Sequence, residues 1–131
     1  MNVTVTTQIS VLMENRPGAL AELCSKLAEK AVNIVGIMVP EQSGVAAVRM
    51  VLSGQDAAKR VFEGMGLKYS EEGVLAVRLS DKPGALGKLT RKLADHQIDV
   101  KYAYGTILKG AGKAMVILGV SDLDAAANLT K

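Results

Sequence analysis

The sequence contains the same segment twice, and this duplication constrains the fold more than any other feature. Residues 15–28 (NRPGALAELCSKLA) align with residues 81–94 (DKPGALGKLTRKLA) at an offset of 66, and 8 of the 14 positions are identical. Random pairing at average composition would give about one identity. The similarity resumes after a two-residue shift, which we place in a hairpin loop, with Gly44 over Gly112. The chain is therefore two copies of one unit, and we assign them to residues 1–71 and 72–131.

Each copy has the order β-α-β-β-α-β. In the first copy, alternating or apolar runs predict strands over 8–13, 34–39, 45–52 and 67–70. We expect Pro17 in the first turn of a helix whose buried stripe is Leu20, Leu23 and Leu27. Ser53 is expected to cap a second helix that ends at Gly64 and Gly66, after a turn over 40–44. This order predicts an α+β fold of two ferredoxin-like units, each an antiparallel sheet with both helices on one face.

The second copy lacks its last strand. Strands over 74–79, 100–104 and 113–120 and helices over 85–96 and 123–129 are predicted, but Lys131 ends the sequence before a fourth strand. The edge of strand 74–79 would then be unpaired, and such edges recruit partners. We expect either the N-terminal extension, with Val3 and Val5, or another subunit to cover it.

Composition and charge exclude several classes of protein. The net charge is +3, with no basic arm or acidic tail, which disfavours nucleic-acid and membrane partners. No apolar run approaches the length of a spanning helix, and the N-terminus lacks the pattern of a secretory signal. A single cysteine excludes an internal disulfide. We expect a reduced, cytoplasmic protein.

The residues needed for catalysis are scarce. Cys24 lies on the apolar helix face and is expected in the core, while His96 ends a charged stretch and is expected on the surface. The glycine-rich segment 109–114 fails the spacing of a phosphate loop and is expected to be a hairpin tip. The two strands that would carry RNA-stacking aromatics have none; Tyr102 and Tyr104 lie on a different strand. We predict a protein that is not an enzyme and has no cofactor or metal.

The repeated loop has the chemistry of an amino-acid receptor. Both copies enter the first helix through an Asn or Asp, a basic residue and Pro-Gly-Ala-Leu, so backbone N–H groups at the helix start can bind a carboxylate. Asn15 and Asn33 in the first copy, and Asp81 and Asp99 in the second, offer oxygens to an ammonium group. The alternative is that Asn15 and Asp81 only cap the helix or shape the turn.

These loops, together with Val32-Asn33-Ile34, resemble those of tandem ACT domains over nearly the whole chain. The first copy is similar to the regulatory domain of D-3-phosphoglycerate dehydrogenase. That resemblance implies that Asn15 and Asn33 contact an effector across an interface between two ACT units. The implied ligand-binding residues are Asn15, Arg16, Pro17, Gly18, Ala19, Leu20, Asn33, Asp81, Lys82, Pro83, Gly84, Ala85, Leu86 and Asp99.

Two departures from that regulatory domain bear on the ligand. Met13 stands where the dehydrogenase has a histidine that contacts serine, which weakens the case for serine itself. The second copy has Asp81 and Asp99 in place of the asparagines, so the two sites should differ in selectivity. The sites form either between equivalent copies or between unlike copies, the latter pairing Asn15 with Asp99 and Asp81 with Asn33.

The resemblance implies a stand-alone regulatory protein. Its effector would be a free amino acid bound between ACT units and shifting their association, in a homodimer or higher homo-oligomer. Any enzyme that it regulates would be a separate polypeptide. The alternative is a subunit of an amino-acid biosynthetic enzyme that binds no ligand.

Overall fold

The chain forms two compact units. A computed structural model describes residues 2–40, 44–107 and 112–129. The first unit consists of Thr7–Glu72, and the second combines the first six residues of the chain with the residues from Gly73 onward. The predicted turn over 40–44 and the glycine-rich loop over 109–114 lie largely outside the described residues.

Two long strands take part in both units. The elements are β1 (Asn2–Glu14), α1 (Ala19–Glu29), β2 (Ile34–Met38), β3 (Val45–Leu52), α2 (Gln55–Gly64), β4 (Tyr69–Ser80), α3 (Ala85–Asp95), β5 (Val100–Ile107), β6 (Lys113–Val120) and α4 (Leu123–Leu129). The strand order is β2-β3-β1-β4 in the first unit and β1-β4-β6-β5 in the second. The pairs β1–β3, β2–β3, β4–β6 and β5–β6 are antiparallel. The predicted fold class, two ferredoxin-like units in tandem, is confirmed.

One face of each sheet packs against the helices of its own unit. In the first unit, alternate residues of β1 and β3 meet the buried faces of α1 and α2. The core that they form consists of Ile9, Val11, Met13, Ala19, Leu23, Leu27, Val32, Val48, Met50, Leu52, Ala58, Val61 and Phe62. The second unit repeats this core with Leu75, Val77, Leu79, Leu89, Leu93, Ile98, Val116, Leu118, Val120 and Ala126. The alternating apolar pattern of the strands and the 3.6-residue apolar period of the helices predict this packing.

The predicted helical stripe is shifted at its first residue. Ala19 is buried, whereas Leu20 is 37% exposed and its counterpart Leu86 is 44% exposed. Cys24 is half-buried, at the margin of the stripe rather than in the core. His96 is exposed, as predicted, and its Nδ1 lies 3.0 Å from the carbonyl oxygen of Lys92.

The N-terminal part of β1 occupies the strand position beside β4 in the second unit. The Thr4 hydroxyl donates to the carbonyl oxygen of Ala76 over 3.4 Å, and Val3 packs against the core of the second unit. In the strand order of that unit β1 is the edge strand next to β4, the position that β4 occupies beside β1 in the first unit. Of the two expectations for the edge of β4, coverage by the N-terminal extension is therefore the one realised.

Ion pairs and hydrogen bonds tie α2 to the start of β4 in the first unit. The Lys59 ammonium lies 2.6 Å from a carboxylate oxygen of Glu71, and this hydrogen bond raises the pKa of Lys59. The Tyr69 hydroxyl donates to Glu63 over 2.7 Å, which raises the pKa of the Tyr69 phenol. The Tyr69 ring also lies 5.6 Å from the ring of Phe62.

Tyr102 packs within the second unit. Its ring lies over Gly119 on the neighbouring strand, so closely that the Cβ of any other residue at that position would collide with the ring. None of the helices within the described residues is long and apolar enough to cross a membrane.

The N-terminal strand can be tested with two matched substitutions. We expect Val3→Ala to lower the free energy of unfolding by about 1 kcal/mol, because Val3 contacts the second core. Val5 is 54% exposed, and Val5→Ala should change it by less than about 0.5 kcal/mol. Urea unfolding measures both, and amide exchange over 74–79 should be faster in Val3→Ala alone. Equal effects of the two substitutions would contradict this role.

Candidate ligand-binding site

A type II turn precedes the first helix of each unit. In the first unit the Ala19 N–H donates to the carbonyl oxygen of Arg16 over 3.2 Å, with Pro17 and Gly18 between them. Gly18 has φ +87° and ψ −13°, and Gly84 has φ +89° and ψ −9°. Pro at the second position and Gly at the third are the residues that this turn favours, because the third position needs a positive φ. Pro17 therefore lies before the helix rather than in its first turn, which corrects the predicted helix start.

One of the backbone donors expected at each helix start is already engaged in the turn. Ala19, and likewise Ala85, uses its N–H to close the turn, and the first helical bond runs from Glu22 to Gly18. Among the described residues, the N–H groups of Gly18, Leu20 and Ala21, and of Gly84, Leu86 and Gly87 in the second unit, have no acceptor. Open space lies in front of both glycines, where a Cβ would have no neighbour within 4 Å. Three donors at the positive end of each helix remain available to an anion.

The loops are held by the adjacent hairpins. The Asn15 N–H donates to the carbonyl oxygen of Gly44 over 2.6 Å, and the Asp81 N–H donates to Gly112 over 3.0 Å. No side-chain cap hydrogen bond is present at the start of α1 or α3. The Asp81 carboxylate makes no hydrogen bond or ion pair to a described residue, so it does not cap α3. For Asp81 the capping alternative is wrong.

A serine holds the second candidate residue of each unit. The Asn33 N–H donates to Ser53 Oγ over 3.0 Å, and the Ser53 N–H donates back to the Asn33 carbonyl oxygen over 3.0 Å. The second unit repeats this arrangement between Asp99 and Ser121, at 2.9 Å for each bond. Ser53 therefore does not cap α2, which begins instead after Gly54 with φ +69°. The recurrence of these serines in the aligned copies is the signal by which they could have been found.

The two asparagines are not brought together within the first unit. Asn15 precedes α1 and Asn33 follows it, and the helix has 11 residues. At 1.5 Å per residue α1 is about 16 Å long, far more than one amino acid can span. Asp81 and Asp99 are separated in the same way by α3, which also has 11 residues. Within one unit, each loop and the residue before the next strand thus lie about one helix length apart.

A cleft lies beside each loop, and the two clefts differ in charge. The first-unit cleft has a volume of about 230 Å³ and is lined by Met13, Glu14, Arg16, Ala19, Glu22, Met65 and Leu67. There the Arg16 guanidinium lies 3.3 Å from Glu14 and 3.5 Å from Glu22. The second-unit cleft has a volume of about 370 Å³ and is lined by Leu79, Ser80, Lys82, Pro83, Ala85, Lys88, Leu89 and Lys92.

The described side chains offer no metal centre. Across the ranges 2–40, 44–107 and 112–129, no group of three or more His, Cys, Asp or Glu is placed to hold a metal ion. The chemistry of the two loops is that of hydrogen-bond donors and fixed charges, which suits the binding of a charged small molecule.

Comparison with known proteins defines the class. Residues 3–129 match the family model of the ACT domain pair, so the chain belongs to that family. No curated protein matches the sequence. The fold is similar to that of protein BT0572 from Bacteroides thetaiotaomicron, with a TM-score of 0.90 and 23% identity over 98% of this chain and 88% of that one. It is also similar to the regulatory subunit of aspartate kinase from Thermus thermophilus, with a TM-score of 0.66 and 14% identity over 99% and 95%.

The serine that holds Asn33 can be tested directly. We expect Ser53→Ala to lower the free energy of unfolding by about 1 kcal/mol, because the Asn33 N–H loses its acceptor. The exchange of the Asn33 amide should become faster, measured by NMR. Ser70, exposed on β4, is the control, and Ser70→Ala should change the stability by less than about 0.5 kcal/mol. Unchanged exchange at Asn33 would contradict the assigned role.

Proposed function

We propose that this chain is a non-catalytic regulatory protein that binds a free amino acid between ACT units. The observation that carries the proposal is the pair of open helix starts, each with three backbone donors that have no acceptor among the described residues. Membership of the ACT domain pair family supports it. So does the likeness in fold to a protein described as the regulatory subunit of aspartate kinase.

Each part of the loop has a role in this proposal. The N–H groups of Gly18 and Leu20 donate to the α-carboxylate, and the exposed Leu20 side chain contacts the ligand's carbon atoms. Gly84 and Leu86 do the same in the second unit. Asn15 and Asn33 contact the ligand from different units, as the resemblance of the first copy to the regulatory domain of D-3-phosphoglycerate dehydrogenase implies. Asp81 and Asp99 attract the ammonium group.

The separation of Asn15 from Asn33 supports a regulatory outcome. A ligand that contacts both residues must hold two units in one arrangement, since α1 separates them within a unit. Binding then favours one association state of the protein, and that population shift is what a partner enzyme would sense. A homodimer or higher homo-oligomer is the assembly that this proposal requires.

Calorimetric titration with each of the common amino acids tests the proposal. We expect a saturable heat for at least one of them, and Asn15→Ala should weaken its binding by roughly tenfold or more, as for a lost hydrogen bond to a charged group. Asn128 is exposed on α4, and Asn128→Ala should bind like the parent protein. The absence of binding by every amino acid at millimolar concentration would overturn the proposal.

The same titration distinguishes the two site geometries. If the site pairs Asn15 with Asn33 of another protomer, a mixture of Asn15→Ala and Asn33→Ala proteins should recover part of the lost binding. If the site pairs Asn15 with Asp99, the mixture should bind no more ligand than its Asn33→Ala component binds alone.

A second candidate function is an interaction subunit of a biosynthetic enzyme that binds no ligand. It is favoured by the exposed apolar side chains at the end of the first unit's sheet, where β2 is the edge strand: Val35 is 43%, Ile37 39% and Val39 45% exposed. Such an edge is a template for pairing with another strand.

Substitutions on the edge strands test this candidate. We expect Ile37→Lys to shift the protein to a smaller species in size-exclusion chromatography, because a charge would be buried in the paired edge. Ala103 occupies the equivalent position on β5 and is exposed, so Ala103→Lys is the control. Association that depends on Ile37 and is unchanged by every amino acid would favour the interaction subunit over the receptor. An unchanged elution of Ile37→Lys would exclude this edge as the interface.

A further inference from the structure

We propose that the second unit binds a compact organic dianion in the cleft between the end of β4 and α3, which borders the helix start of the proposed amino-acid site and shares Lys82, Pro83 and Ala85 with its implied residues. The cleft has a volume of about 370 Å³, which is in the range of small-molecule sites. Three of the residues that line it are the lysines Lys82, Lys88 and Lys92, and none is a carboxylate. None of the three lysines forms an ion pair with a described residue.

The floor of this cleft is apolar and belongs to the core. Leu79 is 5% and Leu89 is 1% exposed, and both belong to the core of the second unit. The cations thus surround a patch that a short carbon chain can cover, while the charged groups of the ligand reach the lysines. A lysine ammonium binds anions as a point charge with three donors and suits phosphate and carboxylate alike.

The first unit provides an internal control, because the same backbone there carries carboxylates beside its cations. Glu14 stands in place of Ser80, and Glu22 in place of Lys88, and both carboxylates pair with Arg16. Lys26, the counterpart of Lys92, lies 3.9 Å from Glu29. Met65 and Leu67 also line the first cleft, which is smaller by more than a third. In the first unit the Arg16 guanidinium is paired with two carboxylates. In the second unit three lysines line the cleft without an ion pair to a described residue.

A neighbouring cavity strengthens the positive potential of the second unit. It has a volume of about 290 Å³ and shares Leu79 and Ser80 with the cleft, and it adds Arg78 and Lys113 to the lining. The equivalent positions of the first unit are Leu12 and Val45, which are exposed and uncharged. Five basic side chains therefore surround the end of β4, where the first copy has two acidic residues, one arginine and one lysine. Charges of one sign that line a cleft raise the local concentration of counter-ions.

Two classes of ligand share this chemistry, a dicarboxylate and a phosphomonoester. Both carry two negative charges on a body small enough for the cleft, and the lysines do not discriminate between their oxygens. A monoanion of the same length would use only part of the cationic lining. The proposed ligand is therefore defined by its two negative charges, and the experiment separates the two classes.

Calorimetric titration at constant ionic strength tests the proposal with three probes, namely succinate, inorganic phosphate and butyrate. We expect saturable binding of succinate or phosphate and at least tenfold weaker binding of butyrate, which has the carbon chain of succinate but one charge fewer. The comparison of succinate with phosphate identifies the class. Constant ionic strength removes the general screening that added anions produce.

Substitutions locate the site. Lys88→Glu introduces the residue that the first copy carries at this position and should weaken binding by roughly tenfold or more. Lys30→Glu makes the same change of charge on the exposed end of α1 in the first unit and should leave binding unchanged. Lys82→Ala provides a second test with a smaller loss of charge, and circular dichroism verifies that each variant is folded.

The outcomes are distinct from those of the amino-acid titration. Dianion binding should persist in Asn15→Ala, because Asn15 lies in the first unit and outside this cleft. If neither succinate nor phosphate binds, or if Lys88→Glu and Lys30→Glu weaken binding equally, the dianion site is wrong, whatever the result for amino acids.

Discussion

The fold depends on the hydrogen bonding of the two strands that lie inside each sheet. In a ferredoxin-like unit the first strand has neighbours on both sides, and in the second unit that strand, β4, lies between β1 and β6. Residues 2–6 of β1 belong to the second unit, and the later residues of β1 lie inside the first. A single strand therefore contributes to both cores, with Val3 packed in one and Ile9 in the other.

Much of this was predictable from the sequence, because the duplication supplied two independent instances of each pattern. The strand and helix order, and the N-terminal extension as one cover for the edge of β4, followed from it. The first residues of the helices did not, since Pro-Gly fits both a helix start and a type II turn, and only the positive φ of Gly18 decides between them. Ser53 was misassigned for a similar reason: a serine before a helix is a good cap, but here it holds the backbone of Asn33.

The sequence contains every charged residue of the two clefts, but it does not predict which of these side chains lie close together. Arg16 and Lys82 align in the repeat, but only in the folded chain do Glu14 and Glu22 lie beside the Arg16 guanidinium. Lys92 similarly joins Lys88 at the same cleft, because the two residues lie one turn apart on α3. Duplicated backbones thus hold different charge arrangements, which is how two sites on one chain acquire different ligands.

The length of α1 determines what an amino-acid ligand can do to this protein. Had Asn15 and Asn33 lain on one side of a single unit, a ligand could bind both without changing the association of units. With a helix of about 16 Å between them, a ligand that uses both has to draw one from each of two units. Its binding energy then includes the energy of bringing those units together, and by linkage the assembled form must bind the ligand more tightly than the separate one. A ligand site divided in this way, as we propose for this protein, would couple binding to the association of units without movement within the fold of either unit.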